Sequence, residues 1–222
     1  MERNFLMAVA LTLCCAVAAS AVNTFQIDID STNLTGGSTG GFIATEVGWI
    51  SIDATQPSEG DGVLVDGVTF SVFSSDGSRV RLTPAGAPDP NPLTADFVFD
   101  DGSGVAVGLR VFDLPDGLWQ AEVWSWDQQA PAGTQIIGIT QFGPPETIFT
   151  SSFAGSATDP FTFQFDSSEL SNGFGIFARE NSGANRSRFN ALRLTRVVPE
   201  PATMSLIGIG GLALMGRRRR RQ

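Results

Sequence analysis

The sequence predicts an all-β body, a sandwich or barrel, set between two processing segments. Three observations carry this. Asp-Gly occurs five times, at Asp61-Gly62, Asp66-Gly67, Asp76-Gly77, Asp101-Gly102 and Asp116-Gly117, and Asp-Gly tolerates the positive φ that tight turns require. Runs of period-two alternation lie around these pairs. No stretch from Val22 to Val198 holds a helical period over three turns.

The first element is a leader. "MERNFLMAVALTLCCAVAASA" places Arg3 before an apolar stretch and ends on the small residues Ala19, Ser20 and Ala21. That is the three-part pattern of a secretory signal peptide, residues 1–21, with cleavage after Ala21. The alternative is an N-terminal anchor, but the apolar stretch is short of the roughly 20 residues of a comfortable span. Lipidation at Cys14 or Cys15 is disfavoured, because Leu13 and Cys14 precede them where a small residue is wanted. Both cysteines leave with the leader, so the exported body has no disulfide.

The body spans residues 22–198. "VTFSVFSSDGSRVRLTP" alternates Val68, Phe70 and Val72 before Asp76-Gly77 and Val80 and Leu82 after it, which reads as a hairpin. "VAVGLRVFDLPDGLWQAEVWSWD" reads as a second hairpin. Val105, Val107, Leu109 and Val111 line one face, and Pro115-Asp116-Gly117 makes the turn. The return strand sets Trp119, Ala121 and Val123 on one face and Gln120, Glu122, Trp124 and Trp126 on the other. "PFTFQF" puts Phe161, Phe163 and Phe165 at period two; "GFGIFAR" and "RFNALRLTRV" are two more strands. A short helical turn is expected near Ser168-Glu169-Leu170. Residues 35–41 and 84–92 are turn-rich and fit loops at the ends of a sandwich.

Charge narrows the partners. From Val22 to Pro201 there are 22 acidic residues against 8 arginines, a balance of −14 beside −9 for the whole chain. Such a surface repels nucleic acid phosphates and suits a saline exterior or divalent cations, or simply solubility. The chain has no His and no Tyr, and all fourteen of its basic residues are arginine. The body therefore has no Ser-His-Asp triad, Cys-His pair, Schiff-base lysine or His zinc site. Carboxylate chemistry remains, as in glycoside hydrolysis, but no motif singles out a pair, and no catalytic residue is assigned.

Residues 100–198 resemble the galactose-binding-like jelly-roll modules, including the malectin-like and carbohydrate-binding types. The residues that carry the resemblance are "VFDLPDGLWQAEVWSWD", "FTFQF" and "RFNALRLTRV". Trp119 takes the position usual for Tyr in the hairpin, and Asn190-Ala191-Leu192 matches an Asn-x-Leu element of the last strand. The resemblance implies a jelly-roll β-sandwich. Such modules often carry a structural calcium, for which "DIDSTN" (Asp28, Asp30, Asn33) and "DFVFDDGSG" (Asp96, Asp100, Asp101) offer oxygen ligands. These aspartates read equally as solvated turn residues. Neither run is an EF-hand loop, and no metal ligand set is assigned. For a glycan, Trp124 and Trp126 share a face beside Glu122 and Asp127, an arrangement that stacks a sugar and holds its hydroxyls. The alternative is that these tryptophans belong to the core. Arg179, Arg186 and Arg188 near the last strands read as solvated ion pairs.

The chain closes on "VVPEPATMSLIGIGGLALMGRRRRRQ". Residues 202–216 carry no charge; as a helix they span about 22 Å, less than the roughly 30 Å of hydrocarbon. Arg217, Arg218, Arg219, Arg220 and Arg221 snorkel and hold the C-terminus in the cytoplasm. Pro199 and Pro201 keep the backbone around Glu200 extended. From Val198 onward this resembles the PEP-CTERM sorting signal of Gram-negative bacteria: Pro-Glu-Pro (199–201), a short transmembrane helix (202–216) and a basic cluster (217–221). The resemblance implies recognition by exosortase, a membrane-embedded cysteine transpeptidase-like enzyme. It also implies a precursor held transiently in the inner membrane, then display at the cell surface, often in bacteria that build exopolysaccharide. A plain anchor is the alternative, but it gives Pro-Glu-Pro no role. Three functions therefore compete: an adhesive or structural surface protein, a carbohydrate-binding module, and a hydrolase using two carboxylates.

Overall fold

In the structure, a computed structural model, residues 23–31, 45–54, 62–73, 77–80, 92–100, 105–127, 134–141, 146–156, 158–181 and 186–198 are described. The signal peptide, Asn33, Asp101, residues 35–41 and 84–91 of the turn-rich loops and the tail from Pro199 lie outside them. The chain divides into two units, Thr24–Thr195 and Met1–Asn23 with Arg196–Gln222. In the second unit the Arg196 N–H donates to the Asn23 carbonyl at 2.9 Å.

The unit Thr24–Thr195 is the predicted all-β sandwich. Its strands are β1 (Thr24–Asp30), β2 (Ile50–Asp53), β3 (Gly62–Val65), β4 (Val68–Phe73), β5 (Gly77–Val80), β6 (Asp96–Asp100), β7 (Ala106–Phe112) and β8 (Leu118–Trp124), followed by β9 (Gln135–Gln141), β10 (Glu146–Phe153), β11 (Phe161–Asp166), β12 (Phe174–Glu180), β13 (Ser187–Phe189) and β14 (Ala191–Arg196). Helix among the described residues amounts to one turn, α1 (Pro92–Ala95), and the expected 3₁₀ turn at Ser167–Glu169, capped by the Asp166 side chain. No helix among them is long and apolar enough to cross a membrane.

One sheet has the order β11-β8-β14-β1-β2, a second β10-β9-β12-β7-β4-β3, and a third β13-β6-β5. Alternation places the inward residues of the two large sheets face to face. Phe25, Ile27, Trp119, Val123, Phe163, Leu192 and Leu194 come from the first; Phe70, Val107, Leu109, Val111, Ile139 and Ile176 come from the second. Rings cross between the layers: Phe25 lies 5.5 Å from Phe70, and Phe165 lies 5.5 Å from Phe174. Val105, expected on the buried face with Val107, precedes β7 and is partly exposed.

Both hairpins read from the sequence need correction. β7 pairs with β4 and β12, whereas β8 belongs to the other sheet, so Pro115-Asp116-Gly117 is part of a crossover. Likewise β5 pairs with β6 in the third sheet and not with β4. Alternation reports which face is buried, and a strand entering the opposite sheet buries its face against the same core. The winding from β7 to β8, back to β9, and from β11 to β12 is the sheet-to-sheet winding of a jelly roll. A true two-residue hairpin joins β3 to β4. Val65 pairs Val68, and Asp66 and Gly67 take φ of 48° and 86°, both positive as a type I′ turn requires.

Gly108 in β7 is a steric requirement. A Cβ there would sit 2.1 Å from the Ile176 carbonyl oxygen, a backbone atom of the paired strand β12. Gly108→Ala is expected to lower stability by roughly 1–3 kcal/mol or more. Urea denaturation of the two proteins checks this, and an unchanged midpoint would rule out the close approach.

Candidate functional site

One end of the sandwich is organised around Asn190, between β13 and β14 and fully buried. Its N–H donates to the Trp124 carbonyl at 3.0 Å, and its carbonyl accepts from the Ile29 N–H at 3.0 Å. Its side-chain Oδ1 accepts from the Trp126 N–H at 2.6 Å, and Nδ2 donates to the Asp96 carbonyl at 2.8 Å. One residue thereby ties β1, β6 and the end of β8 together. Ser125 adds a bond from its hydroxyl to the Arg188 carbonyl at 2.8 Å.

This clasp brings together the two acidic runs that lie far apart in sequence. Asp28 and Asp30 stand on the outward face of β1, since Ile27 and Ile29 take the core. Both are nonetheless buried, at 1 % and 0 % exposure. The segment before β2 covers them: the Glu46 N–H donates to Asp28 Oδ2 at 2.8 Å and the Thr45 hydroxyl to Asp30 Oδ2 at 2.5 Å. Ser51 also bonds the Asp30 carboxyl, and the Asp96 carboxyl lies within hydrogen-bond reach of it. No N–H or O–H reaches Asp30 Oδ1. Two carboxyls can bond each other only while one keeps its proton. Burial pushes the Asp28 carboxyl up to about 8, helped by the charges of Asp30 and Glu46 and opposed by the Glu46 N–H. Burial likewise raises Asp30, as does the charge of Asp53, against the bonds from Ser51 and Thr45.

The donor set here is all oxygen, which suits a hard cation such as calcium. Among the described residues no three acids form a group able to hold a metal ion. Any further ligand would have to come from backbone, hydroxyl or water oxygen, or from residues outside those described, Asn33 and Asp101 included. Asp100 is buried in β6, where it pairs Ser187.

The tryptophans are placed differently from an open stacking pair. Trp124 lies on the outward face of β8 but is only 5 % exposed. Its ring meets Trp49 edge-on at 5.3 Å, and the Arg193 guanidinium sits 5.6 Å over it. Arg193 also pairs with Glu122 on the same face. Trp126 is half-buried and packs over Gly155, while Asp127 is buried. Trp119, on the inward face, is core. Of the arginines read as solvated, Arg188 is buried, and Arg186 stacks 5.0 Å over the Phe99 ring. Sequence reasoning missed Thr45, Glu46, Trp49 and Arg193, which lack a local signal because their partners are distant.

Residues 197–221 match the PEP-CTERM protein-sorting motif, so the chain carries that motif directly after the last of its described strands. Of its residues only 197 and 198 are among those described. No curated protein sequence matches the chain. Among solved structures, the chain is similar to protein YXIM of Bacillus subtilis at 18% identity and a TM-score of 0.47, covering 81% of this chain and 41% of that one. It is similar to a β-glucuronidase of Bacteroides uniformis at 13% identity and a TM-score of 0.40, covering 79% and 18%. A third is the Clostridium thermocellum xylanase 10B CBM22-1–GH10 structure, at 12% identity and 0.34, covering 58% and 26%. The chain thus spans less than half the length of each of these proteins.

Two outcomes are expected at this end of the sandwich. Asn190→Ala leaves the Trp126 N–H and the Asp96 carbonyl without their partner and should cost about 2–5 kcal/mol; a chemical denaturation curve measures it. The raised carboxyls give a pH dependence. Unfolded, Asp28 loses its proton near 3.8; folded, it keeps the proton until about 8. Across that window the unfolded chain binds fewer protons, so stability falls as pH rises. In chelator, the melting midpoint should be higher at the acid end of this window than at the alkaline end. A flat profile would mean that Asp28 and Asp30 are not held neutral.

Proposed function

We propose that this protein is exported, held briefly in the inner membrane by its tail, and passed by exosortase to the cell surface or extracellular matrix. In this reading the sandwich is a non-catalytic surface domain. The observation that supports it is the PEP-CTERM motif at residues 197–221, beginning where β14 ends at Arg196. A cut in the motif would therefore leave every described strand in the body. Two prolines within three residues disfavour helix, and five arginines would resist crossing the bilayer. The Asp30 and Asp96 carboxyls are buried and in contact, not set across an open cleft as glycoside hydrolysis requires. Replacing Pro199, Glu200 and Pro201 by alanine should leave export and folding intact and trap full-length protein in the inner membrane. Blots of membrane and surface fractions, with tags on body and tail, test this. Normal loss of the tail from the triple variant would leave the motif as a mere anchor.

A second reading, glycan binding, is favoured by the outward face of the five-stranded sheet. Trp124, Trp49, Arg193 and Glu122 form a connected group there, with Thr162 and Gln164 exposed on β11 of the same sheet. Such a face offers hydroxyl donors, acceptors and ring edges to a polysaccharide. If the half-buried Trp126 contacts the glycan, Trp126→Ala abolishes retention on the matrix polysaccharide without lowering the melting midpoint. Trp124→Ala should instead cost about 3–5 kcal/mol, as for a packed ring.

We also infer that calcium joins the Asp30–Asp96 site, where the two buried carboxyls approach each other. Carboxylate and hydroxyl oxygen would hold it, and it would fasten β1 to β6. Calcium should raise the melting midpoint most at the alkaline end of the window, and Asp96→Asn should remove that gain. An equal midpoint in calcium and in chelator would discard the inference.

A further inference from the structure

Asn172 is the only asparagine of the chain that is followed by glycine. It is exposed, in the crossover from β11 to β12. A glycine nitrogen approaches the preceding side-chain carbonyl with no Cβ to hinder it. The Asn172 side chain is also held against the other crossover, between β7 and β8. The Asp113 N–H donates to Oδ1 at 3.1 Å, and Nδ2 donates to Asp113 Oδ1 at 3.1 Å. The first bond polarises the side-chain carbonyl and stabilises negative charge building on Oδ1 when a nucleophile adds. Asp113 has φ 59°, uncommon for a non-glycine residue. A 480 Å³ cavity lined by Asp113, Asn172 and Gly173 admits water beside them.

We propose that Asn172 deamidates spontaneously and that its conversion releases the clamp between the two crossovers. The Gly173 nitrogen attacks Asn172 Cγ; the N–Cγ bond forms as that nitrogen gives its proton to solvent. The Cγ–Nδ2 bond then breaks, and Nδ2 leaves as ammonia, taking a proton from solvent. Water opens the resulting succinimide at either carbonyl, leaving aspartate or isoaspartate at position 172. The reaction consumes one water and involves no redox change. In both products the Nδ2 donor is gone, and a carboxylate faces the Asp113 carboxylate that it had served. Isoaspartate also lengthens the backbone just before Gly173. There is little room for it: Gly173 has φ 117°, and even a Cβ would lie 2.8 Å from the Phe112 ring. The crossover must part from Asp113 or push Phe112 aside. This rests on the body alone and is independent of how the protein is sorted.

The test is incubation of the full chain at mildly alkaline pH, followed by peptide mapping for a mass gain of about one dalton and for isoaspartate. Conversion is expected to concentrate at Asn172 and to leave the buried Asn190 intact. The melting midpoint should drift down as conversion proceeds. Asn172→Asp should show a lowered midpoint from the outset, and Asn172→Gln should show no drift. The proposal fails if Asn172 persists over a period in which a synthetic peptide of the same local sequence has fully converted. It fails equally if Asn172 converts while the midpoint stays put.

Discussion

The arrangement of the three sheets depends on one buried amide. Asn190 sits where the chain steps from the three-stranded sheet into the five-stranded one, and all four of its polar groups are spent on different neighbours. In a low-dielectric interior, a satisfied network of this kind favours one arrangement, because any other leaves costly orphans. Asn190 supplies what an apolar residue of similar size cannot: it pairs backbone groups at strand ends, where the ladder has stopped. A second tie works in the same way. The Ser31 and Ser78 hydroxyls lie 2.8 Å apart, and Ser78 reaches the Ala54 carbonyl, joining β1, β2 and β5 at their ends.

These ties decide the electrostatics of the neighbouring face. Asp28 and Asp30 point away from the core, where water would ordinarily solvate them. The segment carrying Thr45 and Glu46 lies over them and gives one hydrogen bond to each. Each bond favours the charged carboxylate, yet burial outweighs it and both carboxyls are raised. Arg193, a cation on the same sheet, is engaged elsewhere, matched to Glu122 and stacked on Trp124. With both carboxyls raised by burial, stability is expected to fall as pH rises through their titration.

Much of this was legible in the chain and some was not, for identifiable reasons. The faces of β8 were readable because Trp119, Ala121 and Val123 alternate cleanly with polar residues. The 3₁₀ turn was readable from its local polar cluster. The partners of β7 and β8 were not, since alternation is the same for a hairpin and for a crossover. β1 escaped notice as a strand because its outward positions hold Asp28 and Asp30, which look like turn residues. The approach of Asp96 to Asp30 is a product of tertiary structure, and nothing local marks it. Asn190 could be singled out only by its resemblance to an Asn-x-Leu element. Its four bonds belong to residues up to about 160 positions away.

The topology also bears on how export and folding relate. β1 is the first strand of the body and β14 the last, and they pair from Thr24–Thr195 to Asp28–Ala191 in the middle of the five-stranded sheet. That sheet cannot close until residues 191–195 have arrived. Such non-local pairing is entropically expensive and slow to form. Meanwhile β8 and β1 would show unpaired edges, which invite association with other chains. The sorting motif follows β14 at once, so, if the body is exported as proposed, the final strand and the Pro-Glu-Pro triplet would reach the exterior together. If the tail is held as proposed, retention at the membrane gives the last strand time to find β1 before release. It also keeps each unfinished sheet apart from its neighbours. A motif placed after a long linker would lack that coupling, whereas here residue 197 begins it one position after Arg196 ends the strand.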